Sequence, residues 1–255
     1  MLKSMINRVM IKLTGYRFQK APDPNAAKKL SLPRHYDDEA KAIIRQVKPR
    51  TLTGVQKIYG LIEATRYVIN SDIEGDIVEC GVWRGGSMQT VALVLKSLGA
   101  SDRSIHLFDT FEGMPPPGEE DRRFDGETAE TLLEKGTRDQ AIWAYATLDD
   151  VKEGIREVDY PADRVHFHQG MVEETIPDQA PEKIAILRLD TDWYASTIHE
   201  LDHLYDRLTP GGILIIDDYG FWKGSRQATD EFTAKRGLRL FLSPLGSGRI
   251  AIKPL

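Results

Sequence analysis

Short apolar runs of strand length alternate with helical patterns from Thr51 onward, and this alternation constrains the fold more than any other feature. Apolar strands that alternate with helices are typical of a parallel sheet covered by helices on both faces. The sequence therefore predicts an α/β fold. The predicted strands lie at residues 76–80, 105–109, 165–169, 184–190 and 213–218.

The remaining patterns complete this sheet. Ser87 is the expected N-cap of the helix that follows the first strand. Residues 238–242 and 249–252 flank Pro244 and a glycine-containing turn, a pattern that predicts a closing β-hairpin. We therefore expect a mostly parallel seven-stranded sheet with an antiparallel C-terminal hairpin and helices on both faces. Apolar residues at helical spacing predict helices over residues 53–69, 87–98, 196–207 and 225–235.

Acidic residues close most of the predicted strands. They are Glu79, Asp109, Asp190 and the pair Asp217 and Asp218. The carboxyl ends of parallel strands face one crevice, and this crevice is where such sheets bind their ligands. Acids that are concentrated at strand ends, instead of being scattered, therefore indicate a polar ligand site.

A glycine-rich turn, residues 81–86, joins the first strand to its helix. Glycines let the backbone approach a ligand closely, and a helix N-terminus offers it free N–H groups. The spacing differs from the dinucleotide pattern G-x-G-x-x-G, and an acid before the turn suits an ammonium or sulfonium group. S-adenosylmethionine (AdoMet) carries both groups, whereas the alternative is a tight turn without a ligand. The expected contacts here are Glu79, Gly81, Val82, Trp83, Arg84, Gly85 and Ser87.

The ends of the second and third strands are expected to hold the rest of the donor. Asp109 is placed where an acid accepts hydrogen bonds from ribose hydroxyls, with Thr110 beside it. By topology alone, we expect the residues after the third strand to lie over the adenine, and Asp190 to contact the donor as well. The residues assigned to the adenine are Gln169, Gly170 and Met171.

Four aspartates are expected to form one cluster. Asp190 and Asp192 follow the fourth strand, and Asp217 and Asp218 follow the fifth. Adjacent strands lie about 5 Å apart, and crowded carboxylates repel each other unless protons or a cation neutralise them. Oxygen ligands favour Mg²⁺, Mn²⁺ or Ca²⁺, and among these we expect Mg²⁺, with Mn²⁺ as the substitute.

We assign Asp190, Asp217 and Asp218 as metal ligands, and Asp192 as the catalytic base that acts on an acceptor hydroxyl. Two alternatives stay open. The roles of Asp190 and Asp192 can be exchanged, because both follow the same strand. A base can also come from the next helix, where the candidates are His199 and His203.

Composition narrows the class of protein. The chain has 255 residues, a formal net charge of -5 and one cysteine, Cys80. The weak negative charge argues against a nucleic-acid binder, which normally has a basic face. A single cysteine excludes an internal disulfide and fits a reducing compartment. We therefore expect a cytoplasmic enzyme that acts on a small molecule.

Two regions lie outside the sheet pattern. Residues 1–20 are basic, with apolar residues at helical spacing, and predict either peripheral membrane contact or an arm that packs on the body or on a second subunit. We assign residues 1–50 to this arm and a linker, and residues 51–255 to the main domain. A polar insertion at about 111–160 is expected to be an active-site lid, and a disordered surface loop is the alternative for its acidic half.

Four segments carry a resemblance to a known family: VECGVWRGGS, LFDTFEGMP, RLDTDWYAST and LTPGGILIIDDYG. They are similar to the macrocin O-methyltransferase family, in the same order and from about Leu52 onward. The resemblance implies a Rossmann-like class I methyltransferase fold, AdoMet and Mg²⁺ dependence, homo-oligomers, and a sugar hydroxyl of a natural product or glycolipid as acceptor. It implies the same roles for the four aspartates.

Three other functions are alternatives to methyl transfer. Asp190-Thr191-Asp192 resembles the D-x-D motif of metal-dependent glycosyltransferases, but that function leaves Glu79 and the second acidic pair unexplained. The same segment approaches a phosphatase motif that usually ends the first strand, whereas here it follows the fourth. A catalytically silent binding protein of the same fold is the third alternative, and the complete acidic cluster argues against it.

Overall fold

The computed structural model describes residues 30–255, of which Arg34–Leu255 form one compact unit. The predicted basic helix at residues 1–20 lies outside the described residues, as does most of the linker after it. Within the described part, the helices are too short or too polar to span a bilayer.

A seven-stranded sheet forms the centre of this unit. Its strands are Asp76–Cys80 (β1), Ile105–Asp109 (β2), Val165–Gln169 (β3), Ile184–Leu189 (β4), Leu208–Ile216 (β5), Ser243–Leu245 (β6) and Gly248–Ile252 (β7). The spatial order is β3-β2-β1-β4-β5-β7-β6. The first five strands are parallel, whereas β7 is antiparallel to β5 and β6. This confirms the predicted mostly parallel sheet with an antiparallel C-terminal hairpin.

Helices cover both faces of the sheet, as predicted. Their bounds are Asp38–Val47 (α1), Val55–Asn70 (α2), Gly86–Ser97 (α3), Ala129–Lys135 (α4), Leu148–Glu157 (α5), Val172–Thr175 (α6), Tyr194–Leu204 (α7) and Lys223–Lys235 (α8). On one face, Leu61 of α2 and Val91 of α3 pack in a cluster with Ile77 of β1. On the other face, Leu201 of α7 and Phe232 of α8 pack in a cluster with other strand residues.

Some predicted boundaries are wrong. Ser87 is not the N-cap of α3, because Gly85 occupies that position with a φ of 77°, a left-handed conformation that glycine adopts without strain. Residues 238–242 form no strand, and the hairpin begins at Ser243 instead. β5 begins at Leu208 and not at residue 213. The predicted start was too late because Pro210 and the glycines after it resemble a turn in the sequence.

Helix α1 was not predicted. The Asp37 side chain caps it by accepting a hydrogen bond from the N–H of Ala40 at 2.8 Å. Its buried face, which includes Ile44 and Val47, lies against α2 and α3. Residues 34–50 therefore pack with the main domain, although the sequence analysis grouped them with the arm.

The predicted insertion is shorter than expected. Helix α5 places Val151 and Ile155 in the core cluster of α2 and α3, so it belongs to the sheet's helical layer. The segment that crosses outside this layer is limited to residues 111–147, which we call the cover.

Candidate active site

A cavity of about 680 Å³ lies at the carboxyl ends of the parallel strands. This is where α/β sheets bind ligands, beside the point at which strand order reverses between β1 and β4. Most of the predicted site residues line the cavity. They are Gly81, Val82, Trp83, Ser87, Asp109, Thr110, Gly170, Met171, Asp190, Asp192, Asp217 and Asp218.

The predicted contacts Glu79, Arg84, Gly85 and Gln169 are not among the residues that line the cavity. Glu79 is fully buried in β1, below the turn. The Arg84 guanidinium pairs with Asp150, with its Nε at 2.7 Å from a carboxylate oxygen. Gly85 is occupied in capping α3, and Gln169 is exposed at the end of β3. None of these four residues lines the cavity, so their contacts with the donor stay predictions.

Asp109 shapes the glycine turn. Its Oδ2 accepts hydrogen bonds from the backbone N–H groups of Val82 at 2.6 Å and Trp83 at 3.2 Å. Its Oδ1 accepts one from the N–H of Phe111 at 2.6 Å. The Thr110 hydroxyl lies 3.5 Å from Oδ1 but donates to the carbonyl oxygen of Gly113 at 2.8 Å. A carboxylate has about four acceptor positions, so one position is left for a ribose hydroxyl. The ribose contact itself stays a prediction.

Gly81 brings the turn against the loop after β4. Its φ is +82°, and a β-carbon at this position would collide with the carbonyl oxygen of Asp190. The backbone of the turn and the backbone of the acidic loop are therefore in direct contact. This position requires glycine for packing as well as for conformation.

A buried arginine organises the acids of three strands. Arg188 in β4 lies opposite Glu79 in β1, and its side chain is 2% exposed. Its Nη1 donates to Glu79 at 2.5 Å and lies 2.8 Å from Asp190. Its Nη2 donates to Asp217 at 2.6 Å. One guanidinium thus pairs with carboxylates from β1 and from the loops after β4 and β5.

Arg188 was not among the predicted site residues. The available signal was an arginine inside the apolar run IAILRLD, two residues before Asp190. Residues two apart in a strand share a face, so the arginine had to point toward the same side as that aspartate.

Replacing Arg188 with methionine is expected to lower the free energy of unfolding by about 3–5 kcal/mol, because the buried acids lose their counter-ion. Urea unfolding of the metal-free protein measures this change. The control Arg45→Met, on the exposed side of α1, is expected to change stability by less than about 0.5 kcal/mol. Wild-type stability of Arg188→Met would show that the acids are neutralised in another way.

The three predicted metal ligands converge. Asp190, Asp217 and Asp218 each place a carboxylate oxygen within 4.8 Å of the other two. Burial raises the pKa of Asp190 and of Asp218 well above the usual range, and neighbouring carboxylates add to the rise. Burial also acts to raise the pKa of Asp217, but the charges of Arg188 and Lys57 outweigh it and the net shift is downward.

This arrangement fits a small divalent cation. Bonds of about 2.1 Å place two ligands of one Mg²⁺ ion at most about 4.2 Å apart, so small side-chain movements bring the three oxygens into range. A set of donors that contains only oxygen suits Mg²⁺ or Mn²⁺.

Asp192 lies beside the cluster and lines the same cavity. Its φ is 67°, in the left-handed region that aspartate tolerates better than most residues. Its N–H donates to Asp218 at 3.2 Å. Burial, together with the charge of Asp190, raises the pKa of Asp192 to about 7. Such a pKa suits a general base that works near neutral pH.

The histidine alternatives for the base are not supported by the geometry. His199 Nε2 lies 3.0 Å from the carbonyl oxygen of Ile176, and His203 Nδ1 lies 2.8 Å from the carbonyl oxygen of His199. Neither histidine lines the cavity. Asp192 therefore remains the base candidate.

Hydrogen bonds connect the cover to the segment that follows Asp192. The buried Trp193 donates its indole N–H to the carbonyl oxygen of Pro115 at 3.0 Å. The buried Asp121 accepts a hydrogen bond from the N–H of Tyr194 at 2.8 Å. Trp193 also packs in a cluster with Ala129, Leu133 and Trp222. The acidic half is therefore part of the packed structure, whereas its role as a lid stays a prediction.

Glu200 in α7 is a further buried acid that was not among the predicted site residues. It is fully buried, and one carboxyl oxygen accepts a hydrogen bond from the Thr191 hydroxyl at 3.2 Å. The other oxygen has no hydrogen-bond partner among residues 30–255. Burial raises the pKa of Glu200 well above its usual value. It supports the loop between Asp190 and Asp192 from below.

Comparison with known proteins agrees with this geometry. The chain matches the family model described as Macrocin-O-methyltransferase (TylF) over residues 17–246. It is 30% identical to demethyldecarbamoylnovobiocin O-methyltransferase from Streptomyces niveus over 185 residues, which cover 72% of this chain and 68% of that protein.

Two further similarities involve another sugar methyltransferase and a solved structure. The chain is 32% identical to 8-demethyl-8-(2,3-dimethoxy-alpha-L-rhamnosyl)-tetracenomycin-C 4'-O-methyltransferase from Streptomyces olivaceus, over 74% of this chain and 69% of that protein. The structure of the O-methyltransferase NovP matches with a TM-score of 0.71 and 28% identity, over 81% of this chain and 83% of that chain. Sheet order, cavity and sequence agree, and the chain is a methyltransferase that belongs to the macrocin O-methyltransferase family.

Proposed function

We propose that this enzyme transfers the methyl group of AdoMet to a sugar hydroxyl of a natural product or glycolipid, with the help of Mg²⁺ or Mn²⁺. One observation carries the proposal. The carboxylates of Asp190, Asp217 and Asp218 converge beside Asp192, in the same cavity that the glycine turn lines. The donor turn, the candidate base and the candidate ligands for a cation thus share one space.

The donor is assigned to the β1–β3 side of the cavity. Gly81, Val82 and Trp83 form the wall there, and Ser87 lies in the first turn of α3, where backbone N–H groups lack partners within the helix. Gly170 and Met171 line the cavity beyond β3. The volume of about 680 Å³ lies within the usual range for small-molecule sites.

Asp192 is assigned the proton transfer. The acceptor oxygen forms a bond to the methyl carbon while the bond from that carbon to sulfur breaks, and Asp192 takes the hydroxyl proton. A divalent cation held by Asp190, Asp217 and Asp218 would supply charge that favours the ionised acceptor oxygen. Arg188 holds two of these ligands in place from below.

The sugar acceptor is proposed from the family and from one relative in particular. The Streptomyces olivaceus enzyme, by its name, methylates a rhamnosyl group. The acceptor side of this cavity offers both polar and aromatic surfaces for a sugar ring, since Gln56, Phe221, Trp222 and Ser247 line it.

A single assay tests this function. The full chain is incubated with AdoMet, MgCl₂ and a panel of deoxysugar conjugates, and the products are read by mass spectrometry. We expect a mass gain of one CH₂ unit that requires AdoMet and is abolished by EDTA.

Calorimetry with AdoMet and with a nucleotide sugar serves as the control for the glycosyltransferase alternative. Binding of the nucleotide sugar without binding of AdoMet would contradict the proposal. Turnover that survives EDTA would remove the cation from it.

Three further expectations accompany this function. We expect a cytoplasmic location because the chain has a single cysteine, and a homo-oligomer because of the family resemblance. A liposome flotation assay with the intact chain tests whether residues 1–20 bind a membrane surface. Size-exclusion chromatography with light scattering measures the number of subunits in the assembly.

A further inference from the structure

We propose that Lys57 is the counter-ion of Asp217 in the metal-free enzyme, and that a divalent cation displaces it on binding. This inference rests on the proposed function, because it assumes that the cation binds at Asp190, Asp217 and Asp218. It assigns a role to a residue of α2 that lies far from the acidic motifs in the sequence.

Lys57 lies in the first turn of α2 and reaches across the cavity to β5. Its Nζ donates to the main-chain oxygen of Asp217 at 2.9 Å and to the Oδ2 of the same residue. The side chains of Lys57 and Asp217 are 12% and 6% exposed, so water weakens this pair little. Arg188 donates to the other carboxylate oxygen. Both oxygens of Asp217 therefore have a cationic partner.

These contacts conflict with a metal ligand role unless one partner leaves. A divalent ion on Asp217 Oδ2 would lie close to the Lys57 ammonium group, and two positive charges at such distances repel strongly in a partly buried site. Arg188 is not the group that moves. It is fully buried and is held by Glu79, Asp190 and Thr53 as well as by Asp217.

Lys57 has the freedom that Arg188 lacks. Among the described residues, its Nζ bonds only to Asp217, and its side chain lines the cavity. A lysine ammonium is a compact charge on a flexible four-carbon chain, so it can withdraw into the cavity without breaking a packed layer. The exchange replaces one cation by another at the same carboxylate.

Two effects of removing Lys57 follow. The metal-free protein loses a cation that lies beside the cluster of four aspartates, so it becomes less stable. The divalent ion no longer competes with a resident ammonium group, so it binds more tightly. A lysine that merely packs against the site would produce the first effect without the second.

The test measures Mn²⁺ binding to the full chain by isothermal calorimetry, without donor or acceptor, for the wild type and Lys57→Met. We expect Lys57→Met to bind Mn²⁺ about tenfold more tightly, in the range of ordinary coupling between two bound ligands. In EDTA its Tm is expected to fall below that of the wild type, and saturating Mn²⁺ is expected to narrow the difference.

Lys57→Arg keeps the charge and is expected to bind Mn²⁺ like the wild type. Lys96→Met removes a lysine that pairs with Asp159 outside the cavity and controls for net charge. If Lys57→Met does not fold, Lys57→Gln replaces it, with the same expected tightening.

The possible failures are distinguishable. Normal Mn²⁺ binding by the wild type with equal or weaker binding by the neutral Lys57 variants would overturn the Lys57 proposal alone. Absence of Mn²⁺ binding by the wild type and by every variant would overturn the metal-dependent function, and the Lys57 proposal with it.

Discussion

Asp218→Asn is expected to lower kcat by about 10²–10³-fold while AdoMet affinity stays near the wild-type value. A bound divalent cation contributes several kcal/mol to such reactions, and each 1.36 kcal/mol corresponds to about a factor of ten in rate. Asp218 is one of the three residues whose oxygens converge. Asparagine keeps the shape of the side chain but loses a charged ligand oxygen, so cation binding weakens while the donor wall is unchanged.

Asp218 is the most informative of the three ligands to replace. Asp190 and Asp217 also neutralise Arg188, so replacing either would disturb the buried ion pairs as well as the cation site. Asp218 accepts a backbone hydrogen bond from Asp192 and, among residues 30–255, forms no ion pair.

Steady-state kinetics and calorimetry with AdoMet check this prediction, with EDTA as a parallel treatment. EDTA is expected to reduce wild-type turnover as strongly as the substitution does, and to affect Asp218→Asn much less. Asp178→Asn, an exposed position outside the cavity, is the matched control and should behave like the wild type. Full turnover by Asp218→Asn would exclude a cation at this cluster as a contributor to the rate.

Asp192→Asn is expected to lower kcat by about 10²–10⁴-fold, which is the usual contribution of a general base. Mn²⁺ affinity should remain near the wild-type value, because Asp192 does not belong to the convergent set of ligands. Asparagine also tolerates the left-handed backbone at this position, so the loop is expected to keep its conformation. The loss should therefore appear in kcat, with little change in the Tm.

Asp192→Asn and Asp190→Asn together show which aspartate is the metal ligand and which is the base, a choice that the sequence left open. If Asp192→Asn loses Mn²⁺ binding while Asp190→Asn retains it, the two aspartates have exchanged roles. Near-normal turnover by Asp192→Asn, in a protein that binds both AdoMet and Mn²⁺, would place the base elsewhere.

Local patterns were sufficient to predict most of the fold. The strands at residues 76–80, 105–109 and 165–169 match their predicted bounds, because apolar runs with clear ends carry their own signal. Helix α1 was not predicted because its segment is highly charged and is flanked by prolines, a composition typical of a linker. Its helical state depends on the Asp37 cap and on packing against the domain.

The sequence predicts which strand ends carry the acidic site residues, but it does not predict the ion pairs that connect them. Sequence order places Asp190 and Asp217 at neighbouring strands, and the structure brings their oxygens together. The position of Arg188 opposite Glu79 depends on the register of β1 and β4, which no single segment specifies. Lys57 reaches Asp217 across 160 positions of sequence, and that contact requires the complete fold.

The attachment of the cover through Trp193 has a consequence for changing the range of acceptors. Trp193 is the next residue after the candidate base, and its indole is bonded to Pro115 of the cover. Grafting the cover of another enzyme is therefore expected to shift the candidate base together with the pocket wall, so that selectivity and rate change jointly. Directed evolution of acceptor choice should keep the anchor at Pro115, Asp121 and Trp193 constant and vary the cavity-facing residues between them.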